Sequence, residues 1–337
     1  MKKIFNLIVS FVLLAGFSAC NKDGSDKPGL PPAPVPTVNY KGLTFISSGN
    51  STVCLAKVGT PDEITLEYST DESHWNPYTI GEKISLADGT FLLFRAGEQK
   101  NLKFSKNTEN YYHFEISGPV TAQGNIMSLL DRNFSTPLSP NAFLALFEGC
   151  TSLLSAPELP ATTMAQGCYF RMFAGCTGLK SAPELPDKAL AYNCYGRMFK
   201  GCSALTYVPD LPATKMEAYC YNSMFANCTS LKFAPELPAK RLESNCYHCM
   251  FEGCTSLTSA PELPATELVS NCYEFMYKDC RNLRYVIGLF TTEPSEKTTK
   301  DWLSGVAASG TFIKSKKATW DVTGVHGIPE GWKIETW

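Results

Sequence analysis

Thiols are the most numerous candidates for chemistry in this chain, with fourteen cysteines against four histidines in 337 residues. Eleven of them fall in two series, Cys150, Cys176, Cys202, Cys228, Cys254 and Cys280, and Cys168, Cys194, Cys220, Cys246 and Cys272, each stepping by 26 residues. Zinc needs about four ligands converging within about 2.0–2.3 Å of one point, usually from close C-x-x-C spacings. Cys246 and Cys249 offer that spacing once, and no other repeat has a counterpart of Cys249. A nucleophilic thiol needs a neighbouring base. His248 lies between these two cysteines, but Cys246 belongs to a repeated column, and a residue adjacent to it on a short helix faces another way. The sequence holds no Ser-His-acid arrangement and no phosphate loop, so it points to no catalytic residues, no metal and no cofactor. Without Cys20, thirteen thiols remain, an odd number that cannot pair completely within one chain. Side chains one coil apart point in parallel, against the geometry a bridge requires. Free cysteine behaves as a small buried hydrophobe, and two ladders of buried thiols are expected.

The elements that must position these thiols are repeats. Between the columns the unit reads approximately F-x-G-C-x-x-L-x-x-A-P-E-L-P-A-x-x-L-x-x-N-C-Y-x-x-M, with five nearly complete copies from Phe147 to Met276 and a sixth that decays after Leu283. Units of this length bury their apolar faces only by stacking on one another. Tyr169, Met172, Phe173 and Cys176 stand at i, i+3, i+4 and i+7, which predicts one short helix per coil. Asn193, Asn245 and Asn271 precede it as candidate N-caps, with Gly167 and Tyr219 in the same column. The Gly, Asn or Asp before each cysteine of the first series marks a left-handed stop. Leu-x-x-Ala/Val-Pro, as at Leu179 to Pro183, reads as a short parallel strand bounded by prolines that cannot donate to a ladder.

The remaining segments flank the repeats. Residues 1–19, MKKIFNLIVSFVLLAGFSA, read as a signal peptide whose apolar run is too short to cross a bilayer, followed by Cys20 as the lipid attachment site. Residues 20–38 form a Pro-rich linker. Residues 39–120 alternate apolar and polar residues in six or so short runs, predicting a small antiparallel β-sandwich-like domain with Trp75 as a core anchor. Residues 121–146 read as an N-terminal solenoid cap, 147–289 as the repeats, and 290–337, with four tryptophans, as a C-terminal cap. The formal charge of -2 is mildly acidic and becomes more so once Lys2 and Lys3 leave with the signal, which argues against nucleic-acid binding.

The repeat unit resembles the BspA-like leucine-rich repeats of bacterial surface proteins, particularly Bacteroidetes lipoproteins, over Phe147 to Leu283 and in the accompanying modules. The resemblance implies a mixed α/β fold, a right-handed leucine-rich repeat solenoid carrying strands on one side and short helices on the other. It also implies a cell-surface adhesin, lipid-anchored in the outer membrane, that recognises a host or bacterial protein or glycan. It carries over no catalytic residue. The residues that break the repeat are the ligand-binding candidates: Lys180, Lys232 and Arg284 in one column, and Tyr207, Phe233 and Tyr285 in the next. The acidic column Glu158, Glu184, Asp210, Glu236 and Glu262 reads as an exposed turn, too sparse in oxygens for calcium by itself. The alternative functions are a structural or spacer protein of the envelope without a specific ligand and, more remotely, an extracellular hydrolase.

Overall fold

Short runs with inward-facing apolar residues pair into the first layer of the structure. The computed structural model describes residues 37–99, 102–185 and 189–337. The runs form β1 (Thr44–Ser47), β2 (Ser51–Val58), β3 (Leu66–Ser69), β4 (Asn76–Tyr78), β5 (Lys83–Leu86), β6 (Phe91–Ala96), β7 (Ser105–Asn107), β8 (Asn110–Ser117) and β9 (Val120–Gln123). One sheet has the order β5-β2-β8-β7, and a second contains β9-β1-β6-β3-β4. Phe45 and Phe94 of the second sheet meet Phe114 of the first at ring centroids 5.0 and 5.5 Å apart, and this aromatic cluster holds the layers together. Trp75, expected in the core, lies half-buried with the Arg95 guanidinium 3.8 Å above its ring.

This unit is not purely antiparallel. A strand from the first repeat, β10 (Leu153–Ser155), joins the edge of the second sheet parallel to β9 and makes it mixed. Phe114 in β8 also stacks on Phe147, 5.2 Å away, and its N–H donates to Leu146 O. The first repeat therefore builds directly on the sheets.

Each later repeat contains a ribbon of overlapping turns in place of the expected helix. The N–H groups of Cys168, Phe170, Met172, Ala174 and Cys176 donate to Ala165, Gly167, Tyr169, Arg171 and Phe173, three residues back, at 3.0–3.2 Å. The intervening N–H groups of Gly167, Tyr169, Arg171, Phe173 and Gly175 donate to Tyr192, Cys194, Gly196, Met198 and Lys200 of the next coil, at 2.7–3.1 Å. Within the ribbon the donors thus alternate between a local turn and the neighbouring coil, a pattern that continues from Asn141 to Asp279. An α-helix would direct every donor four residues back along its own axis.

The left-handed residues show how the sequence selects this ribbon. Positive φ recurs at every fourth position: Gly167 (60°), Arg171 (58°) and Gly175 (75°), then Asn193 (53°), Arg197 (56°) and Gly201 (78°). The outer two columns are mostly Gly and Asn, the residues that adopt this conformation most readily. The asparagines read as N-caps are the first of these left-handed positions. Buried residues fall at Cys168, Tyr169, Met172, Phe173 and Cys176, a spacing that a four-residue ribbon and a 3.6-residue helix both produce over nine residues.

The leucine-rich repeat resemblance and the mixed α/β class are thereby corrected. The stacked coils form a parallel β-solenoid that is nearly all β, with no alternation of helix and strand and no horseshoe of that kind. Among the described residues the only α-helix is α1 (Glu296–Thr299). Most coils pair only at isolated points, Ser181–Tyr207 and Lys215–Arg241 being single parallel bridges, and where a strand does form, in Ser259–Leu263, Pro261 lies inside it and not at its end as expected. A continuous parallel sheet appears only toward the C-terminal end, in the order β11 (Ser259–Leu263), β12 (Tyr285–Gly288), β13 (Thr311–Lys314), β14 (Lys333–Thr336). Trp302 stacks on Tyr273 there, and its indole N–H donates to Gly327 O at 2.8 Å.

Gly201 isolates the cost of the left-handed positions, because an added Cβ would meet only ordinary contacts at 3.8 Å from Gly175. Gly201→Ala is expected to lower stability by about 1–2 kcal/mol in chemical denaturation, and Gly201→Asn by less, since Asn227 occupies the same column at φ 62°. Equal losses for the two variants would contradict this account.

Candidate functional site

The thiol columns come first because the repeat places them most regularly. In one column the thiol of each coil points at a phenylalanine carbonyl of the coil before it: Cys176 Sγ donates to Phe147 O at 3.0 Å, Cys202 to Phe173 and Cys228 to Phe199 at 3.1 Å. The same bond recurs from Cys254 to Phe225 and from Cys280 to Phe251, and Cys150 makes it with Phe114 O of β8. Each of these carbonyls in the ribbon also accepts a local turn hydrogen bond, as Phe147 O does from Cys150 N. Cys168, Cys194, Cys220, Cys246 and Cys272 form the second column and are fully buried. All thirteen described cysteines are free. Burial pushes the thiols of Cys150, Cys194, Cys202 and Cys254 up to about 12. A thiol held neutral is neither a nucleophile nor a metal ligand, and among the described residues no group of three His, Cys, Asp or Glu side chains could hold a metal ion.

Aromatic rings fill the space beside the thiols. Phe147, Phe173, Phe199, Phe225, Phe251 and Tyr277 stack in register at 5.3–5.8 Å, with interplanar angles of 3–12°. Tyr169, Tyr195, Tyr221, Tyr247 and Tyr273 form a parallel stack at 5.9–6.0 Å. These tyrosines are buried in the core. Their hydroxyls turn to neighbours within the core where these exist, as Tyr247 does toward Met216 Sδ at 3.7 Å.

The sequence pairing of Cys246 with His248 does not form, because Cys246 faces the core and His248 faces outward from the ribbon. The imidazole bridges three coils instead, with Nδ1 2.9 Å from Asn222 Nδ2 and Nε2 3.5 Å from Glu274 Oε2. Cys249 Sγ lies 3.8 Å from Nε2. Burial first, and then Glu252, raises the Cys249 thiol to about 12, while burial lowers the imidazole pKa. The raised thiol pKa makes Cys249 hard to ionise, and the hydrogen-bonding partners of the imidazole are side chains of the neighbouring coils. Sequence reasoning missed the Asn222–His248–Glu274 column, whose signal was the 26-residue step itself.

The proposed ligand-binding residues all lie at the surface. Lys180, Lys232 and Arg284 are exposed, and Tyr207, Phe233 and Tyr285 are 57%, 71% and 40% exposed. Ser181 bridges Tyr207, and Ser259 is in register with Tyr285, so these columns run across neighbouring coils. Glu158, Glu184, Asp210 and Glu236 are exposed as well, with Glu262 half-buried. Glu158 and Glu184 of the acidic row line an open pocket of about 340 Å³ with Pro157, Pro160 and Pro183. The leucine-rich repeat surface on which the adhesin reading rested is absent, because the stacked coils form a β-solenoid and not a leucine-rich repeat fold. Cys20 lies outside the described residues. Comparison of the chain with protein-family models, curated proteins and solved structures finds no match.

The buried thiols make stability depend on alkaline pH. The folded chain retains thiol protons that the unfolded chain releases above about pH 8.5. Stability is therefore fully present below that pH and falls as pH rises toward about 12. Denaturation curves between these limits are expected to show this fall. Iodoacetamide at pH 8 is expected to leave both columns unmodified until denaturant is added, and rapid native labelling of Cys202 or Cys254 would refute their burial.

Proposed function

We propose that this chain is a structural spacer of the bacterial envelope, a stiff β-solenoid held away from a membrane, without a catalytic function. The observation that carries this reading is the ribbon ladder, in which alternate backbone donors of each coil are satisfied by the next coil from Asn141 to Asp279. Side-chain columns of thiol and aromatic groups repeat at the same step. Such a core favours rigidity along the stack, and each coil extends it by about 4.8 Å. Repetition of this kind specifies a length more than it specifies a ligand. The Pro-rich linker of residues 20–38 would separate the solenoid from that membrane. Cys20, following an apolar leader, would supply the lipid anchor, with the outer membrane as the corresponding location.

Two measurements test this reading. Removing one whole unit, residues 203–228, is expected to leave a folded chain shortened by about 4.8 Å in small-angle scattering, because the coils on either side present equivalent faces. Arrays of glycans and surface proteins are expected to return no saturable ligand. A ligand bound by the chain and lost on Tyr207→Ala with Phe233→Ala would overturn the spacer assignment. For the anchor, Cys20→Ala is expected to move the protein from the membrane to the soluble fraction, and unchanged membrane association would exclude lipidation at that residue.

A further inference from the structure

The surface rows have a symmetry that the core does not require. From the second coil to the fifth the order is a cation or threonine, then an aromatic or serine, then alanine or valine, proline and an acid; the first coil has Leu154 in the first position, and the sixth has Ile287 and Gly288 in the last two. The second coil reads Lys180, Ser181, Ala182, Pro183, Glu184, and the fourth reads Lys232, Phe233, Ala234, Pro235, Glu236. The middle column is small throughout, with Ala182, Val208, Ala234 and Ala260 buried or half-buried, so the surface lies low between two charged margins. Within β11 the outward side chains are Ser259 and Glu262. In β12 Tyr285 and Ile287 lie in register with them, which places the aromatic and acidic columns on one face.

We propose that this face pairs with the same face of a second copy, about a two-fold axis parallel to the coil stack and running over the alanine and valine column. This operation exchanges the first position of a coil with its fifth and the second with its fourth. Lys180 then faces Glu184 of the second copy, and Lys232 faces Glu236. Tyr207 and Phe233, both exposed, lie over the fourth position of the facing coil, where Pro209 and Pro235 are buried beneath the surface, and the small residues meet on the axis. A two-fold axis along the strands would instead set cation over cation and acid over acid, at a cost in like-charge repulsion. Arg284 faces Gly288 and has Glu262 one coil away. Pairing also sets Glu184 and Glu236 of the acidic row against a lysine, and it covers Phe233, the most exposed large apolar side chain among the described residues. The axis keeps both copies parallel, with their N-terminal ends on the same side.

Five coils at about 4.8 Å each by five residues at about 3.4 Å each give a face of about 24 by 17 Å, roughly 400 Å², half of a standard interface of about 800 Å² per partner. The dimer therefore belongs to the weak class, and two copies tethered side by side would gain from effective concentration. This inference goes beyond the spacer reading, and its failure would leave that reading intact.

Sedimentation velocity of the full chain over a wide concentration series is expected to show a shift from monomer to dimer. Lys232→Glu should weaken it at least tenfold, Phe233→Asp should abolish it, and Lys232→Glu combined with Glu236→Lys should restore it, each with an unchanged melting temperature. Carbodiimide coupling of an equimolar mixture of light and ¹⁵N-labelled chains should give mixed-isotope peptides joining Lys232 to Glu236 and Lys180 to Glu184. A monomer at every concentration without mixed-isotope peptides overturns the proposal. Failure of the charge exchange to restore association, or coupling of Lys232 to Glu158 in place of Glu236, overturns it equally.

Discussion

Everything in the solenoid follows from where alternate peptide N–H groups find acceptors. In a ribbon of turns only half of them are satisfied locally, and the rest must be met from the next coil or remain buried without a partner, at a cost of roughly 1–3 kcal/mol each. A single repeat is thus incomplete by construction. Coils must arrive at a fixed step and present carbonyls in register, which is why the 26-residue period holds from one end of the array to the other. Left-handed residues are the geometric cost of this arrangement, and the sequence meets it with Gly and Asn in two columns of three. The middle column accepts Arg171, Arg197, Ser223, Cys249 and Phe275 at φ 51–58°, where the saturated backbone offsets the strain.

The same constraint explains the choice of cysteine. At Cys176 and its equivalents the side chain must be small enough to let coils approach, apolar enough for the core, and able to donate to a carbonyl of the coil before. Alanine lacks the donor, and serine would bring a more costly polar group into a dry interior. Reading the cysteines as a reactive site fails for the reason that makes them structurally suitable: burial holds them protonated. The aromatic stacks on either side add offset ring contacts along the same axis, each worth about 0.5–1.5 kcal/mol beyond the area it buries.

Much of this was legible in the residues. The period, the buried thiol columns and the left-handed column before Cys150, Cys176 and Cys202 all follow from spacing and residue type. The helix did not follow, because apolar residues at i, i+3, i+4 and i+7 over nine residues cannot distinguish 3.6 from 4 residues per repeat. Asn193, Asn245 and Asn271 carried the distinguishing signal, but asparagine suits an N-cap as well as a left-handed turn. From that one ambiguity came the α/β class, the leucine-rich repeat resemblance and the adhesin reading that rested on it. The surface columns stand out as departures from the echo, and Tyr207 and Phe233 are exposed, where residues can vary as the core cannot. Their arrangement about a small central column became visible only once the coils were in register.

Phe114 supplies both a ring for the aromatic stack and a carbonyl for the first thiol, although it belongs to an antiparallel sheet pair and to no repeat. An array of mutually dependent coils otherwise has no natural place to begin, since the first has nothing beneath it. Here the sandwich offers a finished surface with the right spacing of ring, carbonyl and strand edge. Because this surface precedes the repeats in the chain, each coil can settle on a completed neighbour, counted from the sandwich outward. Assembly then has a direction, and the slow search for register is made once, at Phe114 and Phe147, and inherited by every coil after it.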